Sequence, residues 1–243
     1  MSFGSNEKNA SSRWVQGLVD PHASRAKAVE KDDALPKVQM DFCFMESKGA
    51  GGDGKATGLT ITCVSTGAIA SSALPGKAMG TFLVGLVTQI LSVWGYMDVV
   101  LWTDQEEAIT AVVNETAKRR NHRTLHRRIA RYSHASLGYA EQGNWAVESH
   151  TRTLMEALGE TIGRHIQTSE PIFAWLARHA GWLLTRFRVP PDGRTFYQLL
   201  HREDYRGEVL IVGELCWCLD PRPEAAELKG DSRWSSGFWL GKV

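Results

Sequence analysis

The sequence predicts a mixed α/β core, a five-stranded sheet flanked by helices, followed by a small β-rich C-terminal appendage. Three observations predict it. Two β-former segments, Val38–Met45 and Leu59–Val64, flank a Gly-rich stretch in the pattern of a long-looped hairpin. Two segments of helical periodicity then bracket a short, mostly apolar run at Met97–Trp102. Beyond Pro190-Pro191 the helical patterns give way to short β-like pieces. The 243 residues, 43% hydrophobic and 23% charged, are enough for one sizeable core with an appendage.

The chain divides into three segments. Residues 1–36 are polar with few large apolar side chains and read as a flexible arm. Residues 37–189 hold the core with a trailing helix, and 190–243 a linker and the small β-rich segment. Within the core, alternation makes Val38–Met45 the first strand, with Asp41 inside it. Gly49–Gly58 reads as loop, Leu59–Val64 as the second strand, and Ala68–Leu74 as a third, ended by Pro75-Gly76. From Met79 to Trp94 the apolar residues recur at helical spacing, and Gly95 supplies the stop. Met97–Trp102 reads as a buried strand with Asp104 at its end, followed by a helix from about Glu106 to Ala117.

The stretch from Lys118 to Arg131 carries only basic charges and reads as a solvated edge strand and loop. Gln142–Ile162 and Pro171–Phe187 are the next helices, and Glu208–Val212, Leu215–Leu219 and Trp234–Leu240 are the β-like pieces of the tail. Trp175 and Trp182 are read as core or as a subunit interface. The longest apolar run, Phe82–Val100, is broken by Gly85, Thr88, Gln89, Ser92 and Gly95, so no membrane partner is expected. The N-terminus has no apolar signal core. The cysteines, Cys43, Cys63, Cys216 and Cys218, include no C-x-x-C pair and read as reduced, buried thiols, with Cys216-Trp217-Cys218 a packing strand.

Ribonuclease-H-like folds use this order of elements. In such a plan an Asp within the first strand and an Asp ending the fourth project toward one edge, the places of Asp41 and Asp104. Each also has a plain structural reading: a hydrogen-bonded strand Asp, and a helix N-cap. Glu148, alone, reads as a solvated helix position. Carboxylates converging on one point repel unless a hard divalent cation is held between them. A pair of Mg²⁺ or Mn²⁺ ions roughly 3.5–4 Å apart activates a water or 3′-hydroxyl and stabilises the leaving oxygen at phosphorus.

Three short segments carry a resemblance: Pro36-Lys37-Val38-Gln39-Met40-Asp41-Phe42, Leu101-Trp102-Thr103-Asp104-Gln105-Glu106, and Asn144-Trp145-Ala146-Val147-Glu148. In order, they resemble the acid-bearing motifs of retrotransposon and retroviral integrase catalytic cores. The run Arg178–Phe187, the Asp192-Gly193-Arg194-Thr195 segment and the closing Gly237-Phe238-Trp239-Leu240-Gly241 resemble the region C-terminal to that core in retroelement polyproteins. The resemblance implies a ribonuclease-H-like fold, Asp41, Asp104 and Glu148 as catalytic and metal-holding carboxylates, and a two-metal site of Mg²⁺ or Mn²⁺. It further implies processing and strand transfer of DNA ends and a homo-oligomer; a DNA substrate in turn places the chain in the nucleus, otherwise the cytoplasm.

The sequence departs from that family at Trp145, where Gly is usual, and at Ser149, where Arg or Asn is common. No cysteine precedes Cys43, so no structural zinc is expected. With DNA as partner, phosphate contacts are assigned to Lys118, Arg119, Arg120, Arg123, Arg127, Arg128 and Arg131, with Lys77, Arg152 and Asn144. Asn144 is also read as a helix cap. Two alternatives stand beside an active integrase: a catalytically inactive DNA-binding retroelement remnant, and a ribonuclease-H-like nuclease that uses water alone.

Overall fold

The computed structural model describes residues 34–46, 55–74, 76–77, 80–129, 137–219 and 233–242. The sequence expectations for most of the N-terminal arm, for much of the Gly-rich loop and for Arg131 lie outside these residues. Five strands, β1 (Lys37–Glu46), β2 (Lys55–Cys63), β3 (Ile69–Leu74), β4 (Val99–Thr103) and β5 (Thr124–Arg128), form one sheet in the order β3-β2-β1-β4-β5. β1, β2 and β3 run antiparallel, and β4 and β5 join parallel to β1. The helices are α1 (Thr81–Val93), α2 (Glu107–Arg119), α3 (Gly138–Ile162), α4 (Pro171–Phe187) and the short α5 (Phe196–His201). Two further strands, β6 (Leu215–Leu219) and β7 (Trp234–Phe238), pair antiparallel in a separate ribbon.

Side chains alternate across a strand, so the sheet has two different faces. Val38, Met40 and Phe42 of β1, Leu59 and Ile61 of β2 and Leu101 of β4 form one core with Leu83, Val87 and Leu91 of α1 and Ile109 and Val112 of α2. The alternate positions of β1 are Gln39, Asp41, Cys43 and Met45, and this face lies under α3 and α4. Apolar packing there lies to either side of the polar stripe. Met45 packs with Met155, Leu158, Phe173 and Leu176, and Ile69 with Val147 and Leu184.

α3 and α4 approach the sheet through glycines. A Cβ at Gly143 would collide with the Thr62 hydroxyl, and one at Gly181 would lie 2.6 Å from the Ser71 hydroxyl oxygen. Thr185 ties α4 to the edge strand, accepting from Ile69 N (2.8 Å) and donating to Ile69 O (2.7 Å).

Several element limits differ from the sequence reading. β2 begins at Lys55, inside the expected loop, because Lys55–Gly58 pairs with Cys43–Glu46 and Gly58 lets the strand pass the Cys43 sulfur. α3 begins at Gly138 rather than Gln142, held by Ala140 N donating to Gln39 Oε1 at 2.9 Å, a tertiary bond that periodicity cannot show. Glu208–Val212 is not a strand; its place is taken by chain ending in a turn. The sequence reading has no helix at α5, which Thr195 and Gln198 start through a reciprocal capping box. Cys43 and Cys63 are buried, but Cys216 is half-exposed and Cys218 exposed, because the ribbon leaves that face open. Among the described residues no helix is long and apolar enough to cross a membrane.

Candidate active site

The site is built on the polar stripe of the sheet. β1 and β4 are in parallel register with Gln39 opposite Trp102, which carries Asp41 level with Asp104 just beyond the end of β4. Across the antiparallel pair Asp41 faces Thr60. α3 lies over this stripe, and its Asn144 donates through Nδ2 to Asp41 Oδ2 at 2.9 Å. Asn144 is thus seated inside the helix and is not its cap. Asp104 Oδ1 accepts from Glu106 N at 3.0 Å, fixing the turn that leads into α2.

The electrostatics follow from that placement. Burial, and then the charge of Asp104, push Asp41 up to about 6, against the hydrogen bonds from Phe42 and Asn144. Glu106 adds to the same push. Glu148 follows Asn144 by one helical turn, and burial raises its carboxyl while the Arg152 guanidinium pulls the other way. The Glu148 charge reaches Cys43, two residues beyond Asp41 on the same face of β1; burial first, with Glu148 and Asp41 adding to it, holds that thiol up to about 11. Among the described residues no three His, Cys, Asp or Glu side chains are gathered closely enough to hold a metal ion. Asp41 and Asp104 are brought together, and Glu148 stands over Cys43 beside them.

Two features fit a hard cation at this place. One is the mutual repulsion of Asp41 and Asp104 in a half-buried setting, which a cation between them relieves. The other is Asn144 Oδ1, a buried acceptor without a partner beside a bound Nδ2. Glu106 is the residue that sequence reasoning passed over; its spacing of two from Asp104 was the available signal.

The basic residues do not form one patch. Lys77 Nζ lies 2.7 and 2.8 Å from the Glu106 carboxylate oxygens and above the rings of Phe42 and Phe44. Lys118 pairs with Glu115 at 3.1 Å, and the Arg119 guanidinium lies near Gly85 of α1. Arg120 turns back to the carbonyls of Tyr96 and Met97 and to Thr124. Arg123 N donates to Asp98 Oδ1. On β5, Arg127 is level with Trp102 and shares the phase of Asp104, whereas Arg128 takes the opposite face, level with Thr103. Arg152 is exposed at the outer side of Glu148.

A mixed sheet in this order, with helices on both faces and two carboxylates level on its central strands, defines a ribonuclease-H-like core. Solved structures narrow the class. The chain is similar to the HTLV-2 integrase catalytic core domain in its trimeric form in complex with magnesium, with a TM-score of 0.52 and 17% identity over 69% of this chain and 99% of that one. The dimeric form of the same domain gives 0.50 and 17%, over 69% and 98%. An intasome of simian T-cell lymphotropic virus gives 0.52 and 13%, over 84% of this chain and 68% of that one. The fold is that of a retroviral integrase catalytic core. No protein-family model and no curated protein matches the sequence.

Proposed function

We propose that this chain is an integrase-type polynucleotidyl transferase of a retroelement, which processes DNA ends and joins them to target DNA in a divalent-cation-dependent reaction. The observation that carries the reading is Asp41 level with Asp104 on neighbouring strands, with Asn144 bonded to Asp41 and Glu148 one turn along the helix that covers them. Asp41 and Asp104, with Glu148, would hold Mg²⁺ or Mn²⁺, as the magnesium complex of the HTLV-2 core supports. Held there, the cation would supply Lewis acidity at phosphorus and offset the repulsion between the carboxylates. The chain's own contribution is placement. Asn144 orients Asp41, and Asp104 is fixed by the Glu106 backbone.

DNA, as element ends and target, is the proposed partner, with Arg127, on the sheet face of Asp104, and Arg152, whose charge reaches Glu148, put forward from the assigned set. Arg131 stays in that set as a proposal. A homo-oligomer, nuclear residence, and the three-part division at 36 and 189 complete the reading. A second reading, an inactive DNA-binding remnant, is favoured by one observation: among the described residues Glu148 is not gathered with Asp41 and Asp104 into a cluster able to hold a metal ion.

Strand transfer on a labelled duplex separates the two readings. Joined product is expected with Mg²⁺ or Mn²⁺, and none from Asp104→Asn. Product undiminished in Asp104→Asn contradicts the integrase reading. Cleaved ends without any joined product support the water-using nuclease, and binding without either product supports the remnant.

A further inference from the structure

The two exposed-side cysteines lie far along the chain from the carboxylates and play no part in the function proposed above. β6 is a strand, so Cys216 and Cys218 project to the same face while Trp217 projects to the other. Their Sγ atoms are 3.8 Å apart. Both are free thiols, half-exposed at Cys216 and exposed at Cys218.

The opposite strand leaves room over them. Cys216 is paired with Gly237 and Cys218 with Ser235, and a Cβ at Gly237 would stand 3.3 Å from the Cys218 sulfur. The absence of a side chain there keeps the approach to the two sulfurs open. Desolvation first, then Cys218 and last the charge of Glu214 hold the Cys216 thiol above its ordinary value, so a cation must displace its proton.

The separation has a chemical meaning. Zinc bonded to sulfur at about 2.3 Å with tetrahedral angles sets two ligand sulfurs about 3.8 Å apart. Two sulfurs prepared at that distance need no movement of the strand to share one ion.

From this geometry we propose that Cys216 and Cys218 form a dithiolate chelate for a single soft d¹⁰ cation of the Zn²⁺ or Cd²⁺ class, one per chain, with the other coordination positions open to solvent. On binding, two S–H bonds break, two metal–sulfur bonds form, and both protons pass to the buffer, with no change of oxidation state. The site is of a different kind from the carboxylate cluster, since thiolates select soft cations and carboxylates hard ones.

Cd²⁺ alone is the probe. The full chain, freshly reduced and kept under nitrogen, is titrated in excess Mg²⁺ while the near-ultraviolet thiolate-to-cadmium absorption is followed. The proposal predicts a band saturating at one Cd²⁺ per chain, abolished in the Cys216→Ser/Cys218→Ser variant, retained in Asp104→Asn, and weakened only by a large excess of Zn²⁺. Far-ultraviolet circular dichroism of the Ser variant checks that its fold is kept. No band, an equal band in the Ser variant, or saturation at one Cd²⁺ per two chains overturns the proposal. Retention in Asp104→Asn keeps this outcome separate from failure of the carboxylate reading.

Discussion

Alternate residues of the same strand meet opposite surroundings. On the α1–α2 face β1 contributes Val38, Met40 and Phe42, all within the main apolar core. On the α3–α4 face its central positions are Gln39, Asp41 and Cys43, and two polar atoms of that face, Thr62 Oγ1 and Asn144 Oδ1, are buried without a protein partner. The first face is organised by burial of apolar area, which is insensitive to pH. The second carries charge and unmet hydrogen-bonding capacity, each of which costs stability when buried. A sheet that needed only stability would not be built this way on one side, and that difference is what supports the proposed cation site on the polar stripe.

The largest expected effect sharpens that contrast from the apolar side. Met40→Ala empties a fully buried position of the α1–α2 core and is expected to lower unfolding stability by about 2–5 kcal/mol, independent of pH, as read by urea denaturation. A loss below about 1 kcal/mol would mean that this face is not the main core.

Next comes the close approach of α3. Gly143→Ala puts a methyl group against Thr62 and Thr60, and about 1–3 kcal/mol of overpacking is expected, along with a shift of Asn144 away from Asp41. Unchanged stability in the urea transition would show that α3 sits further from the sheet.

Asp41→Asn tests the polar face by its sign. Asp41 holds its proton up to about 6 in the folded chain, against an ordinary value of 3.8. A raised folded value means that the folded state binds the proton more tightly. The contribution of Asp41 to stability is therefore fullest below about pH 4 and is lost as pH rises through about 6. Removing the charge should raise stability by at most about 2 kcal/mol at pH 8 in chelator, after allowance for the exposed part of the side chain, and by nothing near pH 4. Equal effects at the two pH values would exclude a buried, repelled carboxylate.

The smallest effect concerns α5. Thr195→Ala removes the side-chain acceptor of its capping box and is expected to cost about 1 kcal/mol, seen as a small shift of the urea midpoint. No shift would show that the tail segment adds nothing to the cooperative fold.

These contrasts also explain how much the sequence could disclose. β1 was readable because Val38, Met40 and Phe42 alternate with polar neighbours, and α4 because its apolar period runs from Pro171 to Phe187. The order of the three acidic segments was legible too, as was the strand assignment that puts Asp41 level with Asp104. The features that stayed hidden depend on tertiary contact. α3 starts early because Gln39 bonds Ala140, and Lys55–Gly58 is strand because β1 pairs with it. The basic run from Lys118 to Arg131 reads as one surface in the sequence, yet among the described residues the sheet turns Arg127 and Arg128 to opposite faces and Arg120 back onto Tyr96. A linear run of charges contains none of that.

The most direct test of the central claim is thermal unfolding of the wild type and of Asp41→Asn/Asp104→Asn during titration with Mg²⁺ and Mn²⁺. A ligand that binds only the folded site raises its midpoint by mass action. A carboxylate cation site predicts a rising midpoint in the wild type and a flat one in the double variant. A flat wild-type midpoint at millimolar cation, or an equal rise in both proteins, would contradict it.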